Sequence, residues 1–281
     1  MEKNKRVSIA EDTLKIIENG FFTAPNGDKI SIQAAQTAAI TQTVVYKPED
    51  LDKLLEKPVQ NKHFKTFFEV TGETSLDAVR RLLDVENENH ILCLNFASAK
   101  NAGGGFLTGA QAQEESIARA TGLYPCLLKA TQSYYELHRR MKSCIYTDTM
   151  IYSPEVPIFK TELGSNLDNL QKVSLITSAA VNTGVVLRQE PNNISLIEPL
   201  MRQRIHKVLV LAAERGHEVL VLGAWGCGVF QNDPEKVAFW FKEALEMKFK
   251  NCFKRIAFAV YSNNPKFITP FQKYFGTNLN R

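Results

Sequence analysis

Long apolar runs are missing from this 281-residue chain. No stretch approaches the roughly 20 consecutive apolar residues that a helix needs to cross a bilayer. The opening MEKNKRVSIAEDTLKIIENG has neither an apolar core nor a small-residue cleavage site, so it does not read as a signal peptide. The expectation is a cytoplasmic protein with no membrane partner. Cysteine is scarce too: Cys93, Cys126, Cys144, Cys227 and Cys252 are odd in number, widely spread and without a C-x-x-C pair. That argues against a disulfide framework and a zinc site. His63, His90, His138, His206 and His217 show no H-x-x-x-H spacing, so no metal or other cofactor is expected. Nor is one charge sign much in excess, with 34 Lys plus Arg against 30 Asp plus Glu. The basic residues are scattered and form no nucleic-acid arm, which speaks against sequence-specific nucleic-acid binding. A mild positive surplus still suits a polyanionic substrate. With 44% hydrophobic and 23% charged residues, wholesale disorder is excluded.

What is present is an alternating pattern. The length suits one elaborated α/β domain, or a core with a terminal extension. A helix is predicted over about 5–18, with Ile9, Leu14, Ile16 and Ile17 on its apolar stripe and Asn19-Gly20 as its stop. Phe21 to Thr23 and Ile30 to Ile32 flank Pro25-Asn26-Gly27-Asp28 as a hairpin. Strands follow at 66–70, 91–95, 173–180, 218–222 and 255–260. Helices are predicted near 76–87, 111–120, 194–215 and 265–273, and from Asp233, an N-cap followed by Pro234. Such alternation argues an α/β fold, a central sheet flanked by helices on both faces. Residues 1–90 read as a helical and hairpin extension packed on a core of residues 91–281.

The densest signal is NFASAKNAGGGFLTGAQAQEES, Asn95 to Ser116. Gly103, Gly104 and Gly105 directly after a strand remove every Cβ, permit positive φ and let ligand atoms lie on bare backbone N–H groups. A floppy surface loop is the plain alternative, but it leaves the adjacent carboxylates unexplained. A second loop, Gly223 to Asn232, also follows a buried strand and precedes a helix, so its N–H groups could ring a diphosphate. Neither is a dinucleotide fingerprint or a P-loop. Both lie beyond the carboxyl ends of strands, where open α/β sheets bind ligands. Two such loops imply an extended nucleotide diphosphate. Glu114 and Glu115 begin a helix nine and ten residues after Gly105. They project about 100° apart and so cannot flank a bond as an ordinary glycosidase pair does. Complementing the helix dipole, worth about 0.3–1 kcal/mol, is the bland role. An acid role requires burial to raise a pKa that the helix N-terminus lowers.

Gly103-Gly-Gly, seven residues, then Gln113-Glu-Glu resembles the poly(ADP-ribose) glycohydrolase signature GGG-x(6–8)-QEE. YKPE at Tyr46, TGLYPCL at Thr121, MIYSPEVPIF at Met150 and LGAWGCGVFQNDP at Leu222 resemble the bacterial-type branch of that family. The likeness is weakest before residue 40 and over 182–200, and ITSAAVNTG lacks prolines near Ala179 and Val181. The resemblance implies a macrodomain-like fold with a mixed sheet. By it, Glu115 is catalytic and Glu114 orients the ribose hydroxyls. Asn101, with Ser98 as the competing choice, contacts a ribose. Gly103, Gly104, Gly105 and Gln113 bind substrate, Gly226, Cys227, Gly228 and Val229 hold the diphosphate, and Phe230 packs near a ribose. Trp225 reads as loop support, since tryptophan is usually largely buried.

The implied reaction is hydrolysis of the ribose–ribose O-glycosidic bond of poly(ADP-ribose), with ADP-ribose as product and attack from chain ends. Two alternatives stay open: removal of single ADP-ribose units from protein or nucleic acid, and non-enzymatic ADP-ribose reading. The intact Gln113-Glu114-Glu115 argues against the reader. Acceptor choice depends on rim shape, which these motifs do not report.

Overall fold

The computed structural model describes residues 1–60 and 62–276. Chain order begins with α1 (Lys3–Asn19), β1 (Phe21–Thr23), β2 (Lys29–Ser31), α2 (Gln33–Gln42), β3 (Val44–Tyr46), α3 (Pro48–Glu56), β4 (Phe67–Thr71) and α4 (Ser75–Asp84). The middle holds β5 (Ile91–Phe96), α5 (Gln113–Ala120), α6 (Leu123–Lys129), α7 (Leu137–Arg140), β6 (Met150–Lys160) and β7 (Asn166–Ser178). The chain continues through α8 (Thr183–Gln189), α9 (Ile197–Glu214), β8 (Val219–Leu222), α10 (Pro234–Glu246), β9 (Arg255–Ala259) and α11 (Pro265–Phe275).

Seven strands form one sheet in the order β3-β6-β7-β5-β8-β9-β4. β7, β5, β8, β9 and β4 run parallel, while β6 is antiparallel to β7 and to β3. The sheet is therefore mixed, with a parallel majority. Period-two alternation sends both faces into apolar layers. Leu92, Leu94, Leu220, Leu222, Ile256 and Phe258 pack with α3, α9, α10 and α11. Ile91, Cys93, Val219, Val221, Ala257 and Ala259 pack with α2, α4, α5 and α6 on the other face. Burying each large aliphatic side chain contributes about 1.5–3 kcal/mol, so short runs such as Val219–Leu222 become central strands.

The division at residue 90 is not a boundary of the sheet. β3 and β4, both from the expected extension, form its two edges. Phe67–Thr71 pairs in register with Arg255–Ala259, a contact between segments far apart in sequence. β6 also escapes the sequence pattern, because Pro154 and Pro157 interrupt its alternation. A register shift between Ser153 and Val156 absorbs Pro154, while Pro157 stays in register opposite Lys172. The predicted hairpin forms with Phe22 opposite Ile30. α1 ends at Gly20 with φ 76°, where a left-handed cap favours glycine. Its buried face is Ile9, Ala10, Thr13 and Ile16, with Leu14 and Ile17 half-buried. Thr13 is tolerated inside because its hydroxyl donates to the Arg119 carbonyl.

Candidate active site

A cleft of about 600 Å³ opens where the parallel strands end. Segments following β4, β5, β7, β8 and β9 all contribute lining residues, among them Ser75, Ser98, Ala180, Phe230 and Tyr261. This is the carboxyl-end position that open α/β sheets reserve for ligands.

The first glycine loop wraps the carboxylates. Gly103 and Gly104 have φ 68° and 60°. A Cβ on Gly104 would collide with the Glu115 carboxylate and approach Glu114 Oε2 at 3.1 Å. Although the two glutamates leave the helix in different directions, both therefore converge on one bare backbone position. Gly105 N–H donates to Glu115 Oε1 at 3.0 Å, and Glu115 Oε2 is buried without a partner among the described residues. Glu114 is 2% exposed. Its Oε2 accepts from Ser98 N–H at 2.7 Å and its Oε1 from Asn95 Nδ2 at 3.3 Å. Burial pushes the Glu114 pKa up to about 8, with the Glu115 charge adding to the rise and the Ser98, Asn95 and Gly103 donors opposing it. Desolvation thus overrides the helix N-terminus.

Gln113, expected to bind substrate, lines the cleft and is at the same time a brace. Its Oε1 accepts from Phe96 N–H at 2.8 Å, and its Nε2 donates to Leu94 O at 2.7 Å and Ser75 Oγ at 3.1 Å. Those bonds fasten the start of α5 to β5. Gly103 does not line the cleft; a Cβ there would meet the Phe106 ring at 2.8 Å. Asn101 and Ser98 both line it, and Ser98 Oγ accepts from Asn101 N–H at 3.1 Å.

In the second loop Gly226, Gly228, Val229 and Phe230 line the cleft. Among the described residues their N–H groups have no acceptor. That leaves a ring of donors of the kind that cradles a phosphate. Val229 is 79% exposed, so its side chain points to solvent. Gly226 has φ 73°, and a Cβ there would lie 2.5 Å from Ala180 and 2.7 Å from Asn232 Nδ2. Cys227, expected among the ligand contacts, is buried off the cleft, where burial raises its thiol pKa. Trp225 is a support, as expected: it is fully buried and its Nε1 donates to Ser178 O at 3.1 Å.

Several residues escaped the sequence reading. Asn232 holds the second loop, donating to Val181 O at 2.8 Å and Gly226 O at 3.1 Å and accepting from Thr183 Oγ1 at 2.8 Å. Thr74, Val260, Tyr261, Ser262 and Phe267 wall the far end. They sit together because Val260 N–H donates to Thr71 O at 2.9 Å, continuing the β4–β9 pairing. Glu162 also lines the cleft, its pKa pushed up to about 7 by burial, with the Thr74 hydrogen bond opposing. Asn95, at the end of a predicted strand beside the triglycine loop, was the one with a local signal. Among the described residues no cluster of three or more His, Cys, Asp or Glu could hold a metal ion, and no helix is long and apolar enough to cross a membrane.

Fold and site together define a macrodomain-like α/β enzyme of the glycosidase class, with two glycine loops around a carboxylate pair. The microbial-type PARG (poly(ADP-ribose) glycohydrolase) catalytic domain matches residues 10–161, and the chain belongs to that family. The solved poly(ADP-ribose) glycohydrolase of Thermomonospora curvata is 40% identical with a TM-score of 0.91, over 97% of this chain and 100% of that one. The same protein bound to the inhibitor ADP-HPD gives 40% identity and 0.88, over 96% and 99%. The Deinococcus radiodurans enzyme in complex with ADP-ribose gives 42% and 0.80, over 85% and 96%. No curated protein matches the chain.

Proposed function

We propose that the chain hydrolyses the ribose–ribose O-glycosidic bonds of poly(ADP-ribose) from chain ends, releasing ADP-ribose. The observation that carries this reading is Glu115 Oε2, a buried carboxylate oxygen that has no partner among the described residues, beside a cleft ringed by N–H donors that likewise have no acceptor among them. Protonated Glu115 donates to the departing ribose oxygen as the C–O bond breaks, leaving an oxocarbenium-like sugar. The resulting carboxylate takes a proton from the attacking water, and the new O–H completes free ADP-ribose. The diphosphate, held by Gly226, Gly228, Val229 and Phe230, lends negative charge to the developing cation. Glu114 orients the ribose hydroxyls, and its protonated form limits repulsion on Glu115.

What supports end attack is the helix packed on the catalytic loop, although no α1 residue lines the cleft itself. α1 packs on the turn Phe106–Thr108, where Arg6 Nε donates to Gly109 O at 2.7 Å and Lys3 and Val7 crowd Gly109. The five cysteines are free and four are buried, which suits work in the reducing cytoplasm. The partner is the polymer rather than a nucleic-acid sequence. Incubation with automodified polymer and with singly modified protein, with products separated by chain length, tests the reading. Early mid-length oligomers would refute end attack, and turnover of the singly modified protein alone would refute the polymer substrate. Glu115→Gln should keep ADP-ribose affinity within a few-fold and lose about 10²–10⁴-fold in turnover, the usual worth of positioned proton transfer.

A further inference from the structure

The cleft has the volume of a site for one small ligand. Every further unit of a polymer must therefore lie outside it, each bringing its own diphosphate. We propose that a basic rim formed by Lys100, Arg139, Arg140 and Lys142 holds the diphosphate of the ADP-ribose unit next to the one being released. This rests on the polymer reading above.

The rim is continuous with the cleft. Asn101 lines the cleft, and Lys100 immediately precedes it; the Lys100 carbonyl accepts from Arg139 Nε at 2.8 Å. That bond fastens the end of α7 to the catalytic loop, bringing residues nearly forty positions apart in sequence into one patch. The segment is held from beneath. His138, fully buried, bonds through Nε2 to Thr147 Oγ1 at 2.8 Å, and its ring packs on Tyr134 and Tyr146 at 4.7 and 5.6 Å. Tyr146 in turn packs on Phe230 of the second glycine loop at 6.1 Å. The basic segment is thus braced against both loops that line the site.

Its charge is unbalanced. Arg139 pairs with Glu136, but Lys100, Arg140 and Lys142 have no ion-pair partner among the described residues. Arg140 and Lys142 are exposed. Three uncompensated cations stand here in a chain whose whole excess is +4. Crowded like charges repel one another, and a phosphate within the Debye length of about 8 Å at physiological salt relieves that repulsion. A merely solvated surface would be indifferent to what lies outside the cleft.

The test compares two substrates, long polymer and an ADP-ribosyl O-glycoside of a neutral alcohol, which has no second diphosphate. The variant is Lys100→Gln/Arg140→Gln/Lys142→Gln, with calorimetric ADP-ribose affinity as the check that the cleft is intact. Expected is about a tenfold fall in kcat/KM on polymer at 50 mM salt and less than a twofold change on the neutral glycoside. Raising salt to 200 mM should erase most of the gap, because the two phosphates of one diphosphate at a log–log slope of about −0.7 each account for roughly 7-fold over that range. Unchanged polymer kinetics, or equal losses on both substrates, would overturn the rim. So would the polymer-specific loss arising instead from Lys3→Gln/Lys5→Gln, which would route the chain across α1. A wild-type enzyme active on the neutral glycoside but inert on polymer would overturn the polymer reading itself, and the rim with it.

Discussion

Replacing Glu114 by glutamine should stabilise the protein, increasingly so as the pH rises. Glu114 is buried, and its pKa lies at about 8 against an ordinary 4.5. The folded state therefore holds this proton more tightly than the unfolded chain does. A raised pKa gives stability that is fully present below pH 4.5 and lost as pH climbs through 8. Between pH 5 and pH 8 the wild type should lose about 3 kcal/mol through this one group, from the linkage relation and roughly 1.4 kcal/mol per pKa unit. Glutamine has the same shape and no charge to desolvate, so the variant escapes that loss. Its carbonyl can keep the bond from Ser98 N–H, while its amide faces Asn95, whose Oδ1 has no partner among the described residues. The assay is urea unfolding of both proteins at pH 5 and pH 8. Titrations of groups that do not interact with Glu114 cancel in the difference between the two proteins. The variant should be close to wild type at pH 5 and more stable by about 3 kcal/mol at pH 8. A difference independent of pH would refute the reasoning, since it would mean that Glu114 ionises normally or that its cost is not desolvation.

Gly104→Val should abolish both ADP-ribose binding and turnover in a folded protein, because φ is 60° and the new side chain would occupy the place of the Glu115 carboxylate. Calorimetry with unchanged affinity would remove the triglycine from the ligand cradle. Arg204→Met should cost about 1–3 kcal/mol in unfolding free energy, because it leaves buried acceptors unsatisfied while Lys207 still pairs with Asp148 at 2.8 Å. Arg204 is 0% exposed, bonds Asp148 Oδ1 at 2.8 Å and Ala179 O at 2.9 Å, and joins Lys207 in outweighing the burial that would otherwise raise the Asp148 pKa. A loss below about 1 kcal/mol, the scale of a surface pair, would show that the network contributes little.

Local chemistry was legible in the sequence. The Asn26-Gly27 turn, the Asp233 cap before Pro234 and the short apolar strand from Ile91 to Asn95 each depend on neighbours within a few residues, and each forms in the fold. The two glycine loops could be placed because only glycine adopts such backbone without strain. The triglycine and Gln113-Glu114-Glu115 are close enough in the chain to be read as one unit. Tertiary structure decided the rest, because the remaining properties belong to pairs of distant segments or to burial itself. The edges of the sheet come from β3 and β4, whose partners lie about 100 and 190 residues away. Gln113 became a brace because β5 offers its bonds, and Cys227 turned inward because the loop closes over it. The raised Glu114 pKa opposes what its place at a helix start predicts. A residue's neighbours in sequence set its dipole environment, but only packing decides how much water it loses, and for a buried carboxylate that loss is the larger effect.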